Sequence, residues 1–268
     1  METEAREQRF VFGEAAELYD RARAGYPDAL IDDVLDFVPG HGRPLRALEV
    51  GAGTGKATVA FANRGVEIVA IEPDPAMGAV AMRHCQPFPR VRIECTTFED
   101  WPVEESGFDL LFSAQAWHWV DPSVRYVKAA QALSPGGTLA LFWHETHWQG
   151  EPVRDELDAL YRHLAPALHA RNPGFPGLNQ GGEDDALSRE ITETGLFAGV
   201  ITRAYPWSAS LTAERLVELL WSQSDHRRLP EETRNRLFDA VRAVVAGHGG
   251  EVVVPHTTLL AMACRRSP

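Results

Sequence analysis

Two carboxylates and three glycines carry the first chemistry in this sequence. Glu49 stands two residues ahead of Gly51, and Gly51, Gly53 and Gly55 recur at alternate positions. Glycines so placed let a backbone enter conformations closed to other residues and bring its N–H groups close to a ligand. Glu72 follows the next apolar run, EIVAI at 67–71. A carboxylate there can accept both hydroxyl protons of a ribose, or it can be a solvated acid at a strand end. The spacing excludes two common nucleotide signatures. A dinucleotide turn reads GxGxxG, and here the third glycine comes one position early. A phosphate loop reads GxxxxGK[ST], which Gly51 to Lys56 does not supply.

Further groups could act on a second substrate. Trp117-His118-Trp119 sets one titratable ring between two indoles. His118 can be a general base, can orient an acceptor, or can be a packed, hydrogen-bonded histidine at a helix start. His144, Glu145, His147 and Trp148 form another cluster. Its HExH spacing is not the HExxH of a zinc helix, so lining of a substrate pocket is favoured over a metal. Tyr19, Arg23 and Tyr26 could cap a bound ligand; packing of Tyr19 in a core is an equal alternative. Arg154 and Arg162 could clamp an acidic substrate, although a solvated helix face is the simpler reading. Trp207 and Trp221 either pack in the core or help close the pocket.

The elements that must position these residues alternate along the chain. Phe10 to Val38 reads as two helical pieces broken near Gly25-Tyr26-Pro27. Arg46 to Val50 is a strand and Lys56 to Asn63 a helix; Glu67 to Ile71 is a strand, and Pro73-Asp74-Pro75 opens a helix reaching about His84. Strands follow at Arg90 to Cys95, Gly107 to Ser113 and Thr138 to Trp143, with a helix at Pro122 to Leu133 before the last. A helix at Val153 to His169 and a Pro/Gly-rich piece at Asn172 to Gly182 interrupt the rhythm, as an insertion over the strand ends. Gly199 to Pro206 and Val252 to Cys264 are two more strands, flanking helices at Ala213 to Ser222 and Glu231 to Ala246. Apolar runs alternating with helices imply a mostly parallel sheet covered on both faces. Ligands of such a sheet lie outside the carboxyl ends of its strands, where the glycine turn and both histidine clusters should meet.

With these residues in place, E-V-G-A-G-T-G at 49–55, the acid at Glu72, F-E-D-W-P at 98–102 and F-D-L-L-F-S-A-Q-A-W-H-W at 108–119 resemble a class I S-adenosylmethionine-dependent methyltransferase. The likeness runs from about Phe10 to Arg266. The Ala16 to Pro27 and Ala116 to Trp119 segments resemble the small-molecule branch that includes trans-aconitate methyltransferase and the quinone C-methyltransferases. The resemblance implies a three-layer Rossmann-like α/β fold: a seven-stranded, mostly parallel sheet with an antiparallel last strand. As one domain over 1–268, it would carry a helical cap (10–40), a cofactor-binding half (44–143), an insertion over the acceptor pocket (144–195) and a C-terminal half (196–266).

The same resemblance implies site roles. Gly51, Ala52, Gly53 and Gly55 would pass beneath the methionine part of the cofactor, and Glu49 would face its ammonium. Glu72 would hold the ribose; Pro73 and Met77 would flank the adenine, and Phe98 and Glu99 would meet its other edge. Ser113 and Gln115 would end strand four beside the methionine, and Tyr19 would cover the site. Trp117, His118, Trp119, His144, His147, Tyr26 and Arg23 would line the acceptor pocket, with His118 as candidate catalytic residue.

Bulk properties narrow the partners. A formal net charge of -12 over 268 residues argues against nucleic acid or an anionic membrane as the main partner. Cys85, Cys95 and Cys264 are widely spaced, contain no CxxC, and read as small buried hydrophobes in a reducing compartment. The charged N-terminal stretch, expected to fray over residues 1–9, lacks the apolar run of a signal peptide, and no run reaches the length of a membrane span. The expectation is a cytoplasmic enzyme that methylates a small molecule. The methyl donor would be S-adenosylmethionine, released as S-adenosylhomocysteine, and no metal is needed. The acceptor would be an oxygen of a carboxylate or hydroxyl. The alternatives are methylation at a carbon of a quinone or natural-product intermediate, and a non-catalytic binding protein on the same fold.

Overall fold

A computed structural model describes residues 16–40, 44–103, 107–146, 152–171 and 184–267. His147, Trp148, the 172–182 piece and the frayed start expected from sequence lie outside these residues.

Seven strands form one sheet: β1 (Arg46–Val50), β2 (Glu67–Ile71), β3 (Val91–Glu94), β4 (Phe108–Ala114), β5 (Leu133–Thr146), β6 (Phe197–Thr212) and β7 (Glu251–Arg265). Their spatial order is β3-β2-β1-β4-β5-β7-β6. Only β7 is reversed, pairing antiparallel with β5 on one side and β6 on the other. Between β1 and β4 the order turns from leftward to rightward growth, which opens a crevice at their carboxyl ends.

The helices cover both faces because side chains alternate along each strand. Leu48, Val50, Leu111, Leu139 and Leu141 pack on one face against α5 (Arg125–Ala132) and Ile191 of α8 (Asp184–Glu193). Ala47, Ile68, Leu110, Phe112, Ala140 and Phe142 pack on the other against α2 (Asp28–Phe37) and α3 (Lys56–Ala62). The α4 helix (Pro75–Cys85) is capped by Asp74, whose carboxylate accepts from the Ala76 and Met77 N–H groups. Against Met77 and Val80 of α4 lie Ala16 and Tyr19 of α1 (Ala16–Ala22).

A third core stands apart. It joins α6 (Pro152–Leu164), α7 (Pro166–Arg171), α9 (Ala213–Trp221) and α11 (Glu231–Gly247) to Val252 and Val254 of β7. The short α10 (Ser224–Arg227) links α9 to α11. Register explains its position. Thr146, the end of β5, pairs with His256, while 251–255 pair only with β6 at 208–212. The β6–β7 ribbon thus runs past the carboxyl end of β5 and carries these helices beyond the sheet's edge.

Several boundaries differ from the sequence reading. The helix expected over 153–169 is two, because Pro166 cannot continue the hydrogen-bond ladder of α6. The β5 strand starts at Leu133 and absorbs the Pro135-Gly136-Gly137 turn through a register shift opposite Phe108 and Leu110. The insertion contains an unforeseen helix, α8, and β6 is about twice its expected length. Cys95 is exposed, unlike the buried cysteine expected.

Candidate functional site

A cleft open to solvent lies where β1, β2 and β4 end. Its floor is the glycine turn, where Gly51 and Gly53 have φ of 77° and 59°. A Cβ on Gly51 would lie 2.3 Å from the Ala116 Cβ, so two chain segments meet there with no room for a side chain. At the end of β4, Gln115 is the one described non-glycine residue with positive φ (60°), and its N–H donates to the Phe142 carbonyl over 2.9 Å. Such strain in a well-fixed residue is characteristic of ligand sites.

Two acids give this end its electrostatics. Glu49 is fully buried and does not itself line the cleft; its Oε2 accepts from the Thr58 hydroxyl at 2.5 Å, and its Oε1 has no hydrogen-bond partner among the described residues. Burial pushes its pKa up to about 8, against the Thr58 hydrogen bond and with a smaller push from Glu72. Glu72 lies in the cleft wall, accepting from the Gly53 N–H at 2.7 Å and the Asp74 N–H at 2.9 Å. Burial raises its pKa to about 7 despite those two hydrogen bonds. An orphaned buried carboxylate oxygen beside a glycine cradle fits a ligand with a cationic end, and each Glu72 oxygen keeps a lone pair for a hydroxyl. Met77 and Pro73 line the wall beside Glu72, and Phe98 and Glu99 the part nearer α5. The N–H of Asp121 donates to Glu99 Oε1 over 3.0 Å.

The other end is aromatic and basic. Tyr19, Arg23, Tyr26, Trp119 and His144 line it. Arg23 lies over the Tyr19 ring at 5.1 Å, its Nε is shielded without a hydrogen-bond partner, and it makes no ion pair among the described residues. Burial raises the Tyr26 pKa against the Arg23 charge, and burial lowers those of His144 and His226 with a smaller push from Arg23 in the same direction. The Tyr26 ring stacks on His144 at 4.9 Å, and Trp207 meets His144 edge-on at 5.1 Å. Behind the Arg23 charge, buried Tyr161 and His226 are hydrogen-bonded at 2.7 Å.

Not every expected site residue faces the cleft. Gly55 is the left-handed N-cap of α3, and its missing side chain admits the Ala81 backbone of α4 at 3.2 Å from an added Cβ; it packs two helices together. Ser113 is buried and donates to the Val50 carbonyl at 2.7 Å, tying β4 to β1. Trp117 is buried in the core against Phe98 and Tyr126. His118 is exposed in the Trp117–Trp119 turn and does not line the cleft. The surrounding chain and then Arg125 push its pKa down, and its solvent contact moderates that push. Arg154 and Arg162 pair with Asp155 and Asp158 on their own helix, away from the cleft. Trp221 belongs to the third core, under the Arg234 guanidinium at 4.2 Å. Sequence reasoning missed Thr58 and Thr258, because nothing in local pattern tells a threonine that serves a buried partner from any other.

Comparison with known proteins identifies the family. Residues 48–141 match the family model described as a methyltransferase domain. An uncharacterised methyltransferase of Mycobacterium tuberculosis is 32% identical over 243 residues, covering 91% of this chain and 88% of the relative. A methyltransferase-like protein of Schizosaccharomyces pombe is 29% identical over 226 residues, or 82% of this chain and 79% of the relative. Among solved structures, a type II methyltransferase assignment from Anaeromyxobacter dehalogenans superposes with a TM-score of 0.61 at 23% identity, over 91% of this chain and 97% of that one. Haemonchus contortus phosphoethanolamine N-methyltransferase 2 with S-adenosyl-L-methionine gives 0.56 at 14% identity, over 95% and 57%.

Proposed function

The chain belongs to the S-adenosylmethionine-dependent methyltransferases, and we propose that within this family it transfers the methyl group to an oxygen of a small carboxylic acid. S-adenosylmethionine supplies a methyl on a cationic sulfur, whose displacement by an oxygen lone pair leaves a neutral thioether and a neutral ester. The nucleophile is the ionised carboxylate, so no proton has to be removed. Alignment of the two reactants is then the main catalytic device, worth up to roughly 7–11 kcal/mol where orientation is ideal.

The residues divide the cleft accordingly. Gly51, Ala52 and Gly53 receive the methionine part, Glu49 balances its ammonium from beneath, and Glu72 receives the ribose. Pro73, Met77, Phe98 and Glu99 hold the base, while Gln115 closes the side toward β4 and Tyr19 the top. The acceptor takes the end lined by Arg23, Tyr26, Trp119 and His144. Arg23 carries the reading: it is a half-buried guanidinium on the cleft wall with no ion pair among the described residues, and the ligand that suits it is an anion.

The test is a thermal melt followed by turnover. S-adenosylhomocysteine at a hundredfold excess over its Kd should stabilise the protein by about 2.7 kcal/mol, whereas NAD should have no effect. Octanoate, trans-cinnamate and trans-aconitate should be methylated in preference to the matching amides and alcohols. Turnover only with phenols or at carbon would overturn the carboxylate assignment; cofactor binding without turnover on any acceptor would favour a binding protein.

A further inference from the structure

His144 is half-buried on the acceptor end of the cleft, and its two ring nitrogens have unequal surroundings. Nδ1 lies 2.8 Å from the Thr258 hydroxyl, its antiparallel neighbour across β5 and β7. Nε2 is shielded and has no partner in good hydrogen-bond geometry among the described residues, although the Gly25 carbonyl lies near enough to the ring to favour a proton on it. Thr258 is fully buried, and among the described residues its hydroxyl has one other hydrogen-bond partner, the Trp207 indole N–H at 2.9 Å from β6.

An indole nitrogen only donates. The Trp207 N–H therefore occupies a lone pair of the Thr258 oxygen and cannot accept the Thr258 proton. Among the described residues, the one acceptor left for that proton is His144 Nδ1. The opposite tautomer, with Nδ1 donating, would leave a buried hydroxyl proton unsatisfied, at a cost of ~1–3 kcal/mol. A neutral imidazole that accepts at Nδ1 carries its hydrogen on Nε2.

We propose that the Trp207–Thr258–His144 chain fixes His144 as an Nε2–H hydrogen-bond donor to an oxygen of the methyl acceptor, which makes His144 a specificity-determining residue and removes it as a general base. The assignment of that oxygen to an acceptor rests on the methyltransferase reading above; the tautomer does not. Arg23 and His144 would then hold an acid between two donors, leaving one carboxylate oxygen free to attack.

Burial, with a smaller push from the neighbouring charges, holds the ring neutral. Burial, then His256, then Arg23 lower its pKa to about 3, against the Gly25 carbonyl, which favours a proton on the ring. Tyr26 stacks on the ring, and burial pushes its own pKa well up, so no anion arises from it near neutrality. The His144 ring thus stays an uncharged donor from pH 5 to 9. His256 stands behind Trp207, stacked on its indole at 4.3 Å, with Nδ1 3.2 Å from the Thr146 hydroxyl.

The tautomer can be read without any acceptor. Long-range proton–nitrogen NMR on the full chain labelled with nitrogen-15 histidine, assigned by difference from His144→Gln, should show His144 protonated at Nε2 and unchanged from pH 5 to 9. In Thr258→Val the signal should move toward a mixture of tautomers. A proton on Nδ1 in the wild type, or titration to imidazolium near pH 6–7, would overturn the proposal.

The functional arm uses the acids named above. His144→Gln can place its amide N–H near Nε2 and should keep KM within about threefold, whereas His144→Phe, which keeps the ring stack, should raise KM by roughly tenfold or more. S-adenosylhomocysteine affinity should be the same in both. Equal KM values for the two variants, or a kcat loss with KM unchanged, would overturn the donor role. Failure of S-adenosylhomocysteine to bind the wild type would sink the methyltransferase reading instead, and the NMR result would stand by itself.

Discussion

The Thr58 hydroxyl donates to Glu49 across 2.5 Å and leaves the second Glu49 oxygen buried with no hydrogen bond. Half of this carboxylate is satisfied by the fold and half is not. Burial therefore favours the neutral form of the acid.

A pH dependence follows from Glu49. Its folded pKa is raised from 4.5 to about 8. Between those values the folded chain holds a proton that the unfolded chain has lost. The corresponding stability is complete below about pH 4.5 and is lost as pH rises through about 8. Glu72, raised to about 7, adds to the slope in the same sense. Denaturant melts of the ligand-free protein should show stability falling from pH 5 to 8, by an amount on the order of a few kcal/mol. Glu49→Gln should flatten the curve and weaken S-adenosylhomocysteine binding roughly tenfold to a hundredfold.

The glycine turn separates ligand contact from packing. Gly51→Ala places a methyl 2.3 Å from the Ala116 Cβ at a positive φ, and calorimetry should show cofactor binding abolished. Gly55→Ala meets the Ala81 backbone at 3.2 Å instead. It should lower Tm, with a loss of ~1–3 kcal/mol, while the folded fraction keeps its affinity for S-adenosylhomocysteine.

Arg23→Met keeps much of the apolar stem and removes the charge. The KM for octanoate should rise by tenfold or more, with cofactor affinity within about threefold, since a hydrogen bond to a charged group is worth ~1.5–3 kcal/mol. Arg23→Lys should restore only part of the loss, because an ammonium lacks the planar fork that fits a carboxylate. Steady-state kinetics at saturating cofactor measure both.

His118→Ala is the converse case. The exposed ring stands outside the cleft, so kcat and KM should stay within about threefold of the wild type, in keeping with the small effect of surface substitutions away from a site.

The sheet was legible because its signals are local. The β1 and β2 strands begin and end where apolar runs meet charge, at Arg46–Val50 and Glu67–Ile71. The turn at Gly51 and Gly53 was legible because positive φ leaves its mark in residue type. His118 misled for a related reason: its tryptophan neighbours look like a pocket wall, yet Trp117 turns into the core and only Trp119 reaches the cleft. The His144–Thr258 contact spans 114 residues and depends on the β5–β7 register, which no local pattern fixes. The break between α6 and α7 was signalled by Pro166 and overlooked because the apolar period runs through it. Gly55 shows the limit of motif reading. It shares its alternate spacing with two cleft-lining glycines, yet it answers to Ala81 on a neighbouring helix.

The order β5-β7-β6 has a consequence in time. During synthesis β6 emerges before β7, yet among the described residues β7 is its one sheet partner. Until β7 arrives, β6 has nothing to pair with, while β1 to β4 can already close around the glycine turn. Thr258 and His256 travel on that late strand, so a nascent chain can close the crevice at the ends of β1 and β4 before the β7 side of the cleft exists. Pairings between residues distant in sequence form slowly, and an unpaired strand edge is a hazard for aggregation. Substitutions at the β6–β7 seam should therefore trade acceptor choice against yield of soluble protein.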